Sequence, residues 1–131
     1  MKIDMRLVPD QDPDEIERRL RAHLDARGFD DIRIKNWGSE HPYWGPVDAP
    51  IVDAAERASM AVYRQKPLRL FSSPGTAPQY QVCNPQKLPM VAIGYSHPDA
   101  RVHAPDENVR LDLMPKAAMT LGRFFDEFSR T

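Results

Sequence analysis

Apolar and polar positions alternate from Met1 to Val8, with Ile3, Met5 and Leu7 on one side and Asp4 and Arg6 on the other. That is the period of a half-buried strand, and Pro9 closes it. The period then changes to that of a helix. Asp12 is placed to cap it, Pro13 sits at its first position, Asp14 and Glu15 lie in its positive first turn, and Ile16, Leu20 and Leu24 recur every fourth residue. Gly28 ends the helix, and Ile32, Ile34 and Trp37 predict a second strand, which gives a β-α-β unit over residues 1–37. Two strands and one helix bury too little apolar surface to offset chain entropy, so further strands are expected beside them.

From Gly38 to Asp48 the chain turns to Pro, Gly and aromatic residues and reads as a connection. A helix is expected from about Pro50 to Arg64, with Ile51, Ala54, Ala55, Ala58 and Val62 on its apolar side, followed by a short strand through Leu68, Leu70 and Phe71. Pro74-Gly75 predicts a tight turn, and residues 77–82 a short helix. The run Leu88 to Gly94 predicts a buried strand that leads into a polar, Pro-punctuated loop. Leu113, Ala117, Leu121, Phe124 and Phe128 form one stripe of a terminal helix, with Asp112 as its cap and Pro115 tolerated in the first turn. The expected fold class is α/β: a β-α-β unit over 1–37, then layered helices and sheet over 38–131.

Composition narrows the function classes. The 131 residues are 41% apolar and carry 18 basic and 19 acidic side chains. This is a globular balance, neither a basic nucleic-acid binder nor a polar disordered chain. No apolar run approaches the roughly 18 residues of a membrane span, and the N-terminus lacks the apolar core of a signal peptide. Cys83 is the single cysteine, so a disulfide within the chain and a cysteine metal site are excluded. A reducing compartment, the cytoplasm, is the expectation. Thirteen prolines cluster at expected element ends, not in a low-complexity tract.

The chemistry concentrates between Tyr95 and Asn108, a loop with two imidazoles and several carboxylates at the carboxyl end of an expected strand, where open α/β sheets place ligands. His97 and His103 match none of the compact metal motifs, so spacing alone leaves two readings, a site or two surface histidines. A local mononuclear site from His97, Asp99 and His103 requires the loop to fold back on itself.

The segment from Ser73 through Leu113 carries Pro74-Gly75-Thr76-Ala77-Pro78, the apolar run ending Ile93-Gly94, His97-Pro98-Asp99 and His103-Ala104-Pro105-Asp106-Glu107-Asn108. It resembles the C-terminal end of the zinc amidohydrolases and metallopeptidases that include acetylornithine deacetylase, succinyl-diaminopimelate desuccinylase, aminoacylase, carnosinase and glutamate carboxypeptidase. The resemblance covers nearly the whole chain and only about the last third of a family member, so the chain looks like a fragment. It implies that residues 1–37 are the second half of a ferredoxin-like lid or dimerisation domain. Residues 38–131 are then the C-terminal part of the catalytic α/β domain.

By the same resemblance His103 is a ligand to one of two zinc ions in the parent enzyme, a role that neutral imidazole suits. His97 then has a supporting place behind the ligands, and Glu107 and Asn108 hold the loop or cap the following helix. Arg6 matches the lid arginine that takes the substrate carboxylate, for which a planar fork of donors is suited. An exposed strand arginine paired with Asp4 or Glu15 is the competing reading. Gly75 and Thr76 match a turn whose backbone approaches substrate. A working family member also needs a second histidine, a bridging aspartate, further carboxylate ligands and a glutamate base upstream of this chain, and Asp106 replaces the more usual asparagine. The fragment is therefore expected to bind no zinc stably and to be inactive alone, with a non-catalytic folding or oligomerisation module as the alternative. Its expected partners are a small amide substrate in the parent and, through unpaired strand edges, further copies of itself. Neither nucleic acid nor membrane is expected.

Overall fold

The structure, a computed structural model, describes residues 1–73 and 75–131. Four helices are formed: α1 (Pro13–Asp25), α2 (Pro50–Tyr63), α3 (Gln79–Cys83) and α4 (Leu113–Phe128). By contact the chain divides into a first unit of Met1–Gly45 with Ser72–Leu88 and a second of Pro46–Phe71 with Pro89–Thr131. The boundary expected near residue 37 thus lies inside the first unit, and the proposed turn at Pro74 falls outside the described residues. No helix among the described residues is long and apolar enough to cross a membrane.

In the first unit α1 begins as its sequence dictates. Asp12 Oδ1 accepts a hydrogen bond from the Glu15 amide at 2.9 Å, which satisfies one of the helix's free donors. Arg19 and Arg18 hold the Glu15 carboxyl below its ordinary range. At the other end Gly28, at φ 77°, lets the Phe29 amide turn back to the Leu24 carbonyl at 2.9 Å. Arg21 then donates to the carbonyls of Phe29 and Ile32, and Asn36 donates to Glu17. Side chains of α1 therefore hold the segment after the helix. Further along, Tyr43 donates to the Leu88 carbonyl, His41 stacks on Tyr80 with ring centroids 4.5 Å apart, and Gln81 donates to Glu40. These contacts fasten residues 40–43 to α3, whose Cys83 is buried. Burial raises the Tyr43 phenol above its ordinary value.

The second unit is built on the packing of α2 against α4. The buried positions on these two helices are small: Ala54, Ala55 and Ala58 on α2, and Thr120 on α4. The Thr120 hydroxyl donates to the Lys116 carbonyl at 2.8 Å, so it is buried without an unmet bond. Arg57 Nε reaches Glu127 Oε2 at 2.9 Å, and Lys116 Nζ lies 5.9 Å from the centre of the Tyr63 ring. Arg69 is held by Asp53 and Glu56, which ties the segment after α2 back to that helix.

The α/β expectation differs from what is seen: no strand is present among the described residues. Residues 1–8, 32–37, 68–71 and 88–94 run as irregular backbone, and no backbone hydrogen bond outside the helices joins two of them. The physical reason is that alternation tells which side of a segment is meant to face a core, whereas a strand also needs a second backbone in reach. The Asp112 cap also differs. Its carboxylate makes no cap bond and is instead gripped by Arg110 at 3.0 and 2.8 Å, which keeps it below its ordinary range.

Candidate functional site

The residues singled out from sequence fall into two groups, one in each unit. In the first unit, Arg6 and Thr76 are brought together across 70 positions of chain: Arg6 Nη1 donates to Thr76 Oγ1. Arg6 Nη2 donates to Asp4 Oδ2 at 3.0 Å. The guanidinium thus touches Thr76 and also makes the ion pair with Asp4 of the competing reading. Its side chain remains 57% exposed, so a further acceptor has access to the fork. Beside Thr76, the Gly75 amide donates to Ser73 Oγ at 3.2 Å. A Cβ added at Gly75 would meet only that oxygen, at 3.4 Å, an ordinary contact. The chain's own conformation therefore does not demand glycine there.

In the second unit the loop after residue 95 is organised by Asn108. Its Nδ2 donates to the carbonyls of Asp99 and Asp106, both at 3.1 Å, and its amide donates to the Ala100 carbonyl at 3.0 Å. With Nδ2 turned to those two acceptors, Asn108 Oδ1 faces His97 Nε2 at 3.1 Å. Ala100, at the middle of the loop, is buried. Arg101 pairs with Asp106 at 3.1 Å. None of these bonds uses the His103 ring or the Glu107 carboxylate, and both residues are exposed.

The loop's backbone is its most unusual feature. Arg101, His103 and Asp106 have φ of 52°, 61° and 62°, three left-handed residues that are not glycine within one short loop. Each costs on the order of 1–2 kcal/mol, and such conformations collect where a structure holds a side chain for a purpose. The sequence carries no signal for this, since Arg and His are not left-handed formers; Asp106 alone is a mild one.

The donor inventory is short. Among the described residues no group of three or more His, Cys, Asp or Glu side chains is arranged to hold a metal ion. The local site of His97, Asp99 and His103 is therefore not formed, because His97 is committed to Asn108. His103 by itself does not fit a pair of zinc ions, each of which needs several ligands.

No protein-family model matches the chain, and neither does any curated protein. Among solved structures it is similar to an M20 family metallo-carboxypeptidase from Sulfolobus solfataricus, with 29% identity and a TM-score of 0.84. The likeness covers 95% of this chain and 29% of that one, so the chain spans less than a third of the relative's length.

Proposed function

We propose that the chain is the C-terminal part of a metal-dependent peptidase or amide hydrolase whose intact form cleaves an amide bond in a small N-acyl amino acid or dipeptide-like substrate. The observation that carries this reading is the 29% identity maintained over 95% of the chain with a metallo-carboxypeptidase. In the reading, residues 1–37 are the second half of a ferredoxin-like lid or dimerisation domain, and 38–131 the C-terminal part of a catalytic α/β domain. The irregular segments become strands when their sheet neighbours are supplied. Arg6, Thr76 and Gly75 form the subsite for the substrate's carboxylate end, supported by the Arg6 to Thr76 contact. His103 is the chain's single metal donor, His97 and Asn108 hold the loop that presents it, and Glu107 stands beside it.

The residues present do not fit the zinc ions that such a parent uses, so no catalytic step is assigned to this chain. What its own side chains do is orient and bind: the Arg6 fork faces an anionic acceptor, and the strained loop fixes where His103 stands. The buried lone thiol Cys83 supports the cytoplasm as the compartment. The second reading, a non-catalytic folding or oligomerisation module, is favoured by the amount of apolar surface left open, with Trp37, Leu68 and Leu111 each about 80% exposed.

The test is an assay of the purified chain with excess zinc, cobalt or manganese on N-acyl amino acids and dipeptides. Hydrolysis at the uncatalysed rate is expected, because partner ligands and a general base are missing. Turnover that disappears in His103→Ala would contradict the reading.

A further inference from the structure

Arg6 and Arg110 each pair with an aspartate two residues away, and they do so in different ways. Asp112 takes both Nε and Nη2 of Arg110, at 3.0 and 2.8 Å, which uses up that edge of the planar fork. Asp4 takes Nη2 of Arg6 alone, at 3.0 Å. Arg6 Nη1 goes to the Thr76 hydroxyl oxygen, 70 positions along the chain, and no bond to Arg6 Nε is formed among the described residues. Asp4, Arg6 and Thr76 all belong to the first unit.

A plain surface ion pair does not need this arrangement. An exposed pair is worth little, and a lysine makes one as well as an arginine does. What the arginine adds is a flat fork held at both terminal nitrogens, with two of a guanidinium's five N–H donors spent and three left. Thr76 adds one more, because a hydroxyl that accepts from Arg6 has its own hydrogen to give. An ionised Asp4 only accepts, so its part is to hold the fork. The Arg6 and Asp4 side chains are 57% and 69% exposed, so the unspent donors are open to a ligand. An arginine loses rotamer freedom when it binds, and one already held by the protein loses less.

We propose that Asp4 is a positioning residue: with Thr76 it holds the Arg6 guanidinium so that the remaining donors meet the carboxylate of a small N-acyl amino acid. The proposal rests on the functional reading above, in which Arg6 belongs to the subsite for the substrate's carboxylate end. It adds Asp4, whose charge by itself repels that carboxylate. The two effects of Asp4 are opposite in sign, and two substitutions separate them. Asp4→Asn and Asp4→Ala both remove the charge, but asparagine still offers Arg6 an acceptor.

The experiment uses the full chain with N-acetylglycine as the probe. Phenylglyoxal, a dicarbonyl that adds to guanidinium groups, modifies Arg6, and mass spectrometry of the peptide carrying it reads how far the probe protects that residue. The concentration that gives half protection is then compared between variants. Asp4→Ala should need about three to ten times more probe than Asp4→Asn. Asp4→Asn should stay within about threefold of the unsubstituted chain, since loss of one exposed charge changes little in salt. N-acetylglycinamide, which lacks the carboxylate, should protect none of them. Both substitutions alter an exposed side chain, and an unchanged helical circular dichroism spectrum shows that the variants fold. Equal half-protection in Asp4→Asn and Asp4→Ala would overturn the positioning role and leave a surface ion pair. No protection of the unsubstituted chain, or equal protection by the amide, would overturn the carboxylate subsite as well. The family reading is judged separately, by zinc content and turnover of the intact polypeptide.

Discussion

At the residue scale, Asn108 and His103 divide the work of one loop. The Asn108 side chain donates to two of the loop's carbonyls and meets His97 with its oxygen, so Asn108→Ala should lower stability by about 1–2 kcal/mol. It should also speed hydrogen exchange at the Asn108 and Ala100 amides. His97→Ala removes a single exposed bond and should cost about half a kcal/mol. His103 makes the opposite case. At φ 61° its Cβ is strained, so His103→Gly should stabilise the chain by up to about 1 kcal/mol, whereas His103→Ala keeps the strain and should not. Denaturant midpoints of the two variants check this, and equal midpoints would contradict the strain argument. His103 drew attention in the sequence only through the motif around it, because neither a positive φ nor a 70-residue contact such as Arg6 to Thr76 leaves a local trace. Asn108 was legible as a loop residue, and its central place follows from an amide that both donates and accepts.

At the element scale, the helices were legible because their signals are local. Asp12, Pro13 and Gly28 do at α1 what their chemistry prescribes, and the alanines of α2 close on α4. The four segments with strand-like patterns form no strand among the described residues, since alternation does not supply the second backbone that a strand needs. Asp112 was misread because Arg110, two residues before it, offers a stronger partner than a helix amide. The α2 to α4 contact makes two predictions. Ala58 is fully buried, so Ala58→Leu should destabilise the unit by about 1–3 kcal/mol, seen as a lower urea midpoint, while no change would mean that the helices are not in contact there. Arg57 holds the Glu127 carboxyl below its ordinary value of 4.5. A depressed folded-state value means that the stabilisation is present above 4.5 and is lost as pH falls through the lower, folded value. Stability should therefore fall in acid, and Glu127→Gln should flatten that part of the profile.

At the scale of the whole molecule, large apolar side chains such as Trp37, Leu68, Leu111 and Phe125 stand exposed, while the buried residues among those described are few and mostly small. Alone at micromolar concentration it is expected to self-associate without fixed stoichiometry, and a strictly monomeric species in light scattering would count against this. The proposed function makes this chain the C-terminal part of a metal-dependent hydrolase, with His103 as a metal donor in the intact form. The measurement that tests it most directly takes the polypeptide in which this chain is joined to the preceding catalytic part, and determines bound zinc by mass spectrometry beside the hydrolysis rate. His103→Ala should lose zinc and orders of magnitude in turnover, with His97→Ala losing less. Zinc content and turnover unchanged in His103→Ala would contradict the claim.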